Sequence, residues 1–536
     1  MSVKNKTMLT AAAVTLALSL MLPSAASAAT TSSSSTALTP IREASAKYGA
    51  DVKWNQKTHT ITITKDDSVI VLVIGKNGAI VNGKQVAMDH PVTVVSGRAL
   101  ADSKFIDDLF KDSQQSSDPA DLFVDALQSG NGAQAAQYVS ESFAATLPQN
   151  KLNVLWSDFE TILGKMKLTG AKTEKTNSVH RNVTYAIQAG TVSAEITIRL
   201  NLSGLIDDLN IALATNDSSY LKPSYDKADS YTEQEVTVGQ GDLALPGTLT
   251  LPKGEGPFPA VVLVHGSGAQ DRDVTFGGAK PFRDLAAGLA SQGIAVLRYD
   301  KVTYEHTYKT MADPKFTLKK ETVDDALSAV KLLKDNTSID TSRIFVIGHS
   351  QGGYAMPLLI SADTNKDVAG TVLLAGPSGK FVDAVAEQQQ GLVKRVKELG
   401  IDATAYEQQA AQYTVMANMV NDPQYSVDHM PEQFPFQPAY WFFEQKNYVP
   451  ADLAKGQNVP MLILQGENDW QVTMNQFEGW KTALKDRTNV EFKSYPNVNH
   501  LLAEYKGVSI GAEYVNPSNV SKEIIDDIAS WIKGIK

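Results

Sequence analysis

Gly348-His349-Ser350-Gln351-Gly352-Gly353 is the segment of this 536-residue chain best suited to covalent chemistry. A serine hydroxyl is a weak nucleophile until an adjacent base activates it. The apolar run Arg343 to Ile347 that feeds the segment reads as a buried strand, and Tyr354 to Ser361 beyond it as a helix. A glycine-flanked serine between a strand and a helix occupies a tight, strained turn, which exposes Oγ and leaves the next amide at the helix N-terminus. The chain has no cysteine. Disulfides, thiolate metal sites, a thiol nucleophile and a lipidated N-terminal cysteine are therefore excluded.

Such a serine needs a base, an acid that orients the base, and donors for the negative oxygen of a tetrahedral intermediate. In the hydrolases whose strand–turn–helix this segment resembles, the acid and then the histidine follow the serine in the chain. Only His429 and His500 do so. His500 lies in the loop Tyr495-Pro496-Asn497-Val498-Asn499-His500, just after the strand-like Val490 to Ser494. His429 sits in an irregular insertion between Tyr425 and Pro431, where a cap or surface position is expected. The acid should end the strand Pro460 to Gly466. Asp469 in Glu467-Asn468-Asp469-Trp470-Gln471-Val472 is the choice, with Glu467 as the alternative carboxylate. His265-Gly266-Ser267-Gly268 directly follows the strand Ala260 to Val264. Its small residues would let main-chain amides approach a substrate, so the amides of Ser267 and Gln351 are the expected oxyanion donors. His265 precedes the serine and reads as a brace for this loop.

The elements that must hold these loops alternate from Glu233 onward. Strand-like runs at Leu243 to Leu251, Ala260 to Val264 and Ile294 to Arg298 are interleaved with helical patterns at Lys280 to Gln292 and Thr322 to Lys334. The alternation predicts an α/β fold with a mostly parallel sheet covered on both faces. A long insertion, 376–450, stands between the strand Gly370 to Ala375 and the acid strand, in the position of a cap. Its aromatics, Phe434, Phe436, Tyr440, Trp441, Phe442, Phe443 and Tyr448, are expected to form the cap core, with one or two facing substrate.

With these loops, residues 233–536 resemble the α/β-hydrolase superfamily. Gly266 to Asp273, Pro281-Phe282-Arg283 and Arg298-Tyr299-Asp300-Lys301 resemble a branch of secreted bacterial carboxylesterases. The resemblance implies ester hydrolysis through an acyl-enzyme on Ser350, His500 and Asp469, with no metal or organic cofactor. Asp271, Arg272 and Arg298 would either shape the site entrance or form a buried ion-pair network. A prolyl-oligopeptidase-type serine peptidase, a thioesterase or an acyltransferase would use the same groups, although the first normally carries a propeller that the N-terminal half does not suggest. A cell-surface binding protein is the reading from a different class.

Ahead of this domain the chain reads as several pieces. Lys4 and Lys6, the apolar run Met8 to Leu22, and Ala26-Ser27-Ala28 form an export-signal pattern over 1–28, with cleavage near Ala29. The apolar run is short against the roughly 20 residues of a spanning helix. A Ser/Thr-rich leader, 29–37, follows. Over 38–112, hairpin patterns around Lys65-Asp66-Asp67-Ser68 and Asn82-Gly83 occur with Pro40-Ile41-Arg42, Trp54, Gly75 and Gly97-Arg98. This piece resembles the stalk-like domain named after the copper amine oxidase N-terminus. The lone His59 and His90 do not make a metal pair. Residues 118–215, helical and then strand-like, resemble a small cystatin-like α+β domain, and 216–232 reads as a linker.

Composition is that of a folded chain, 43% hydrophobic and 20% charged. The formal net charge is -10, made more negative if Lys4 and Lys6 leave with the signal. No dense basic run remains to track phosphates, which argues against nucleic acid as a partner. The expected partner is a small-molecule or polymer-borne ester, met outside the cell or at its surface. The N-terminal domains offer a means of cell-wall association, and the mature chain is not expected to be an integral membrane protein.

Overall fold

The computed structural model describes residues 38–65, 68–81, 84–88, 90–102, 104–107, 118–214, 220–436 and 438–535. The signal and leader segments lie outside the described residues, as do the hairpin-turn residues Asp66, Asp67, Asn82 and Gly83. The chain divides into two compact units at Asp125/Ala126.

The N-terminal unit is built on a five-stranded meander, from Asp51–Asn55 to Lys84–Ala87. Both expected hairpins are present: Thr60–Lys65 pairs antiparallel with Ser68–Val73, and Gly78–Val81 with Lys84–Ala87. The alternating Thr-Ile-Thr-Ile run buries Ile61 and Ile63, which pack with Ile70, Leu72 and Ala79 and with the helix residues Ile41 and Ala44. His59 and His90 are exposed.

The second unit opens with short helices, followed by a four-stranded antiparallel sheet made of Met166–Thr176, Arg181–Ala189, Val192–Leu200 and Ile206–Leu213. The expected linker is partly docked. Tyr220 donates to Asp284 at 2.6 Å, and Tyr225 donates to the Val520 carbonyl at 2.8 Å. Its tyrosines supply apolar rings with a polar tip, which a free linker does not need.

The hydrolytic region is an eight-stranded sheet. Its strands are β1 (Tyr231–Val238), β2 (Leu245–Pro252), β3 (Phe258–Val264), β4 (Ala295–Tyr299), β5 (Ile339–His349), β6 (Gly370–Leu374), β7 (Met461–Gly466) and β8 (Val490–Tyr495), in the order β1-β2-β4-β3-β5-β6-β7-β8. The pairs β1/β2 and β2/β4 are antiparallel, and all the others are parallel. Parallel strands buried on both faces become continuous apolar runs. Accordingly β3 alternates Val262 and Val264 into one core cluster with Val261 and Leu263 into another. The mostly parallel sheet is the one the strand pattern predicted, and its architecture is the α/β-hydrolase fold that the resemblance implied.

One departure from the sequence expectation and one feature of the cap matter for the site. The helix expected from Thr322 starts as a π-helical turn, Lys319–Val323, before the regular helix α1 (Asp324–Lys334). The cap is mainly two long helices, α2 (Phe381–Glu398) and α3 (Thr404–Asn421), followed by the short α4 (Ala439–Glu444). Most of its aromatics close on themselves. Phe434, Phe436, Phe442 and Phe443 pack with Val382, Tyr413 and Met416, while Trp441 and Tyr448 turn down onto the hydrolase core.

Candidate active site

All the loops singled out by sequence lie at the carboxyl ends of neighbouring parallel strands, where open α/β sheets collect ligands. Ser350 follows β5 directly and begins the helix Gln351–Ala362. Its backbone has φ 54° and ψ -116°, a conformation that side chains with a Cβ rarely adopt. The glycines around it are required by close approach. A Cβ on Gly348 would stand 2.4 Å from the Gly352 carbonyl, and one on Gly352 would stand 2.3 Å from the Val264 carbonyl.

Asp469, after β7, and His500, after β8, are both buried and joined: His500 Nδ1 lies 2.7 Å from Asp469 Oδ2. The other carboxylate oxygen accepts the amides of Gln471 at 2.7 Å and Val472 at 3.0 Å. The Asp469 carboxylate is therefore fixed on both sides, and Nε2 is the His500 nitrogen that this pairing leaves over. Glu467 is exposed and accepts the Ser494 hydroxyl at 2.8 Å, so it does not take the acid's place beside His500.

His349 connects the Ser350 turn to this pair. Its Nε2–H donates to the His500 carbonyl at 2.8 Å, and the two rings lie 4.6 Å apart. Burial first, then the neighbouring His500, pushes His349 down to about 3. Burial and Lys301 do the same to His265, also to about 3. Both stay neutral at working pH, so neither competes as a base. His265 braces its loop as expected, with Nε2 donating to the Asp271 carbonyl at 3.2 Å and its ring against Phe282 and Tyr299.

Gly266 lies against the Ser350 turn: a Cβ there would meet the Ser350 Cβ at 3.1 Å. Ser267 is exposed on the same loop, and Gln351 is buried at the helix start. Of Asp271, Arg272 and Arg298, the two arginines belong to an ion-pair network. Arg272 pairs with Asp300 at 2.9 Å and Glu235 at 2.7 Å, Arg298 with Glu233 at 2.8 Å and Asp273 at 2.9 Å, and Asp271 accepts from Thr275. His429 stays in the cap, exposed and stacked on Tyr425.

Sequence reasoning missed the supports. Gln465 donates to Asp469 Oδ2 at 3.3 Å and to the Val472 carbonyl at 2.9 Å. A lone amide ending the apolar run Met461 to Leu464 was the available signal. Arg395, on cap helix α2, donates to the carbonyls of Asn468, Asp469 and Ser509 at 3.0 to 3.2 Å. Nothing in its polar surroundings distinguished it.

A second cluster joins the small four-stranded sheet to the hydrolase region. Buried His180 lies 2.6 Å from Glu305 and 3.1 Å from Asp207, with Arg199 on Glu305 and Lys309 on Asp207. The ligand atoms of His180, Asp207 and His306 lie within 4.8 Å of one another. However, Asp207 Oδ2 is already bonded to the Lys309 ammonium at 2.5 Å, which opposes a second cation there. The arrangement is an ionic clamp. Burial disfavours the imidazolium, but Asp207 and Glu305 outweigh it and raise His180 above 6.5. Its stabilising contribution is therefore complete below pH 6.5 and lost as pH rises through the raised value. For Glu305, burial is outweighed by Arg199 and His180, which bring it down to about 2, so its share is lost only in strong acid. His180→Gln should cost about 3 kcal/mol in urea unfolding at about pH 6, and the gap from wild type should narrow at about pH 9. An unchanged gap would remove the ionic account.

The comparisons with known proteins follow this geometry. The model for "Copper amine oxidase N-terminal domain" matches residues 24–115, and that for "Serine aminopeptidase, S33" matches residues 257–504. Esterase EstD of Thermotoga maritima is 35% identical over 420 residues, spanning 77% of this chain and 94% of that protein. Primary amine oxidase of Klebsiella aerogenes is 32% identical over 74 residues, which is 14% of this chain and 10% of that one. Among solved structures, Est1E from Butyrivibrio proteoclasticus aligns with TM-score 0.35 and 16% identity, over 56% of this chain and 99% of that one.

Proposed function

Because this chain belongs to the α/β-hydrolase family of the Thermotoga esterase, we propose that it is a serine esterase that cleaves carboxylic esters through an acyl-enzyme. The observation that carries this reading is the buried Asp469–His500 pair standing beside the strained Ser350 turn. His500 Nε2 takes the Ser350 proton as Oγ attacks the ester carbonyl, and Asp469 stabilises the imidazolium that forms. The carbonyl π electrons move onto its oxygen, which the amides of Ser267 and Gln351 receive. Collapse breaks the bond to the alcohol oxygen, and His500 returns the proton to it. A water deprotonated by His500 then repeats the sequence and frees the acid and Ser350.

The chain is read as exported, with the Met8 to Leu22 segment removed near Ala29, and the N-terminal unit as an accessory module at the cell surface. Among the described residues no helix is long and apolar enough to cross a membrane.

The test is a p-nitrophenyl ester series, acetate to palmitate, run alongside labelling with a fluorophosphonate. Turnover of short esters and one phosphonyl group per chain, on the peptide holding Ser350, are expected. Ester turnover with the label on another residue would overturn the assignment. Phosphonylation of Ser350 without ester turnover would shift the substrate to peptides or thioesters.

A further inference from the structure

Lys301 is 2% exposed and stands behind the loop that carries Ser267. Its ammonium donates to the Gly266 carbonyl at 2.7 Å and to Glu321 Oε1 at 2.6 Å. The other Glu321 oxygen accepts the indole N–H of Trp441, on cap helix α4, at 2.8 Å. Glu321 belongs to the π-helical turn Lys319–Val323, and the next residue, Thr322, accepts from the Gln351 side chain at 3.4 Å. The segment after β4 also cradles the rest of the loop: the Lys301 amide donates to the Gln270 carbonyl at 3.1 Å, and Thr303 to the Gly268 carbonyl at 3.4 Å.

The Gly266 carbonyl and the Ser267 N–H belong to the same peptide unit. That unit is planar and trans, so fixing the direction of its C=O fixes the N–H pointing the opposite way. A cation on the carbonyl oxygen also draws electron density from the amide and makes its N–H a better donor, as in any polarised hydrogen-bond chain. We infer that Lys301 is a positioning residue for the oxyanion site, held by Glu321, which in turn is held by the cap through Trp441. A buried ammonium on a loop carbonyl is costly as mere packing. Here one of its two side-chain hydrogen bonds goes to the one peptide that must not rotate, and the other holds the ammonium in place. The π turn matters because its extra residue per turn re-aims Glu321 and Thr322, and such turns recur at functional sites.

This inference rests on the proposed esterase mechanism and makes a separable prediction. Lys301→Met keeps the stem and removes the charge. Relative to wild type, kcat on a short p-nitrophenyl ester should fall about ten- to a hundredfold with KM little changed, because a donor is misaimed rather than removed. Affinity for a boronic acid, whose adduct with Ser350 mimics the tetrahedral intermediate, should fall in parallel. The double variant Lys301→Met/Glu321→Gln leaves no unpaired buried carboxylate and controls for folding. It should recover thermal stability and remain as slow as the single variant. If the double variant regains wild-type kcat, Lys301 serves only to neutralise Glu321 and the inference fails. If Ser350→Ala keeps ester turnover, the mechanism beneath it fails first.

Discussion

Ser350→Ala should reduce kcat on short p-nitrophenyl esters by about a millionfold, to a residue set by binding and the oxyanion donors alone. The magnitude follows from the role of the group. Without Oγ no acyl-enzyme forms, so what remains is water attacking a merely bound ester. The substitution is also structurally mild. Ser350 needs φ 54° whatever its side chain, and alanine differs from serine only by the hydroxyl, so the melting temperature should stay near that of wild type. Combining Ser350→Ala with His500→Ala should add little further loss, because groups acting as a unit fail together. A multiplicative loss would mean that His500 works independently of Ser350. Circular dichroism of each variant separates lost chemistry from lost fold.

Asp469→Asn should reduce kcat by about ten-thousandfold. The amide can keep the 2.7 Å contact to His500 Nδ1 and the two backbone amides on the other oxygen only by presenting an N–H where the imidazole also carries one. The side chain then favours the wrong tautomer, and Nε2 no longer accepts the serine proton. Glu467→Gln should leave turnover essentially unchanged, because Glu467 is exposed and engaged with Ser494. Equal losses in the two variants would return the acid to the open choice between them. Measuring both against pH adds a check: with neither His349 nor His265 titrating near neutrality, the variants should not acquire a substitute basic limb from either ring.

The succession of strands along the chain, and the placing of Ser350, Asp469 and His500 at strand ends, were legible because each depends on a local rule. Buried strands are short apolar runs, a strained turn demands glycine, and loops at strand ends carry the polar residues. Residues that act by reaching across the fold were not legible. Arg395 is an ordinary cation on a polar helix until α2 is laid over the loop of Asp469, and Lys301 is one of several polar residues after β4 until the π turn brings Glu321 to it. The π turn itself has no signature in Lys319-Lys320-Glu321-Thr322-Val323. The docked linker was missed because its serines and proline outweighed two tyrosines whose partners lie far away in sequence, and the His180 clamp because its members come from segments far apart in the chain.

The Arg395 contacts bear on how such an enzyme can be altered. A cap over an active site invites exchange as a removable specificity module, spliced in and out between Gly376 and Pro450. In this chain the guanidinium of that module grips the backbone at Asn468 and Asp469, the proposed acid, and its indole anchors the chain of contacts behind the loop of Ser267. A graft that lacks both anchors would change the pocket and loosen the machinery in a single step. Substrate range and catalytic power are therefore mechanically linked, and a chimera has to inherit the anchors before its new pocket can be judged.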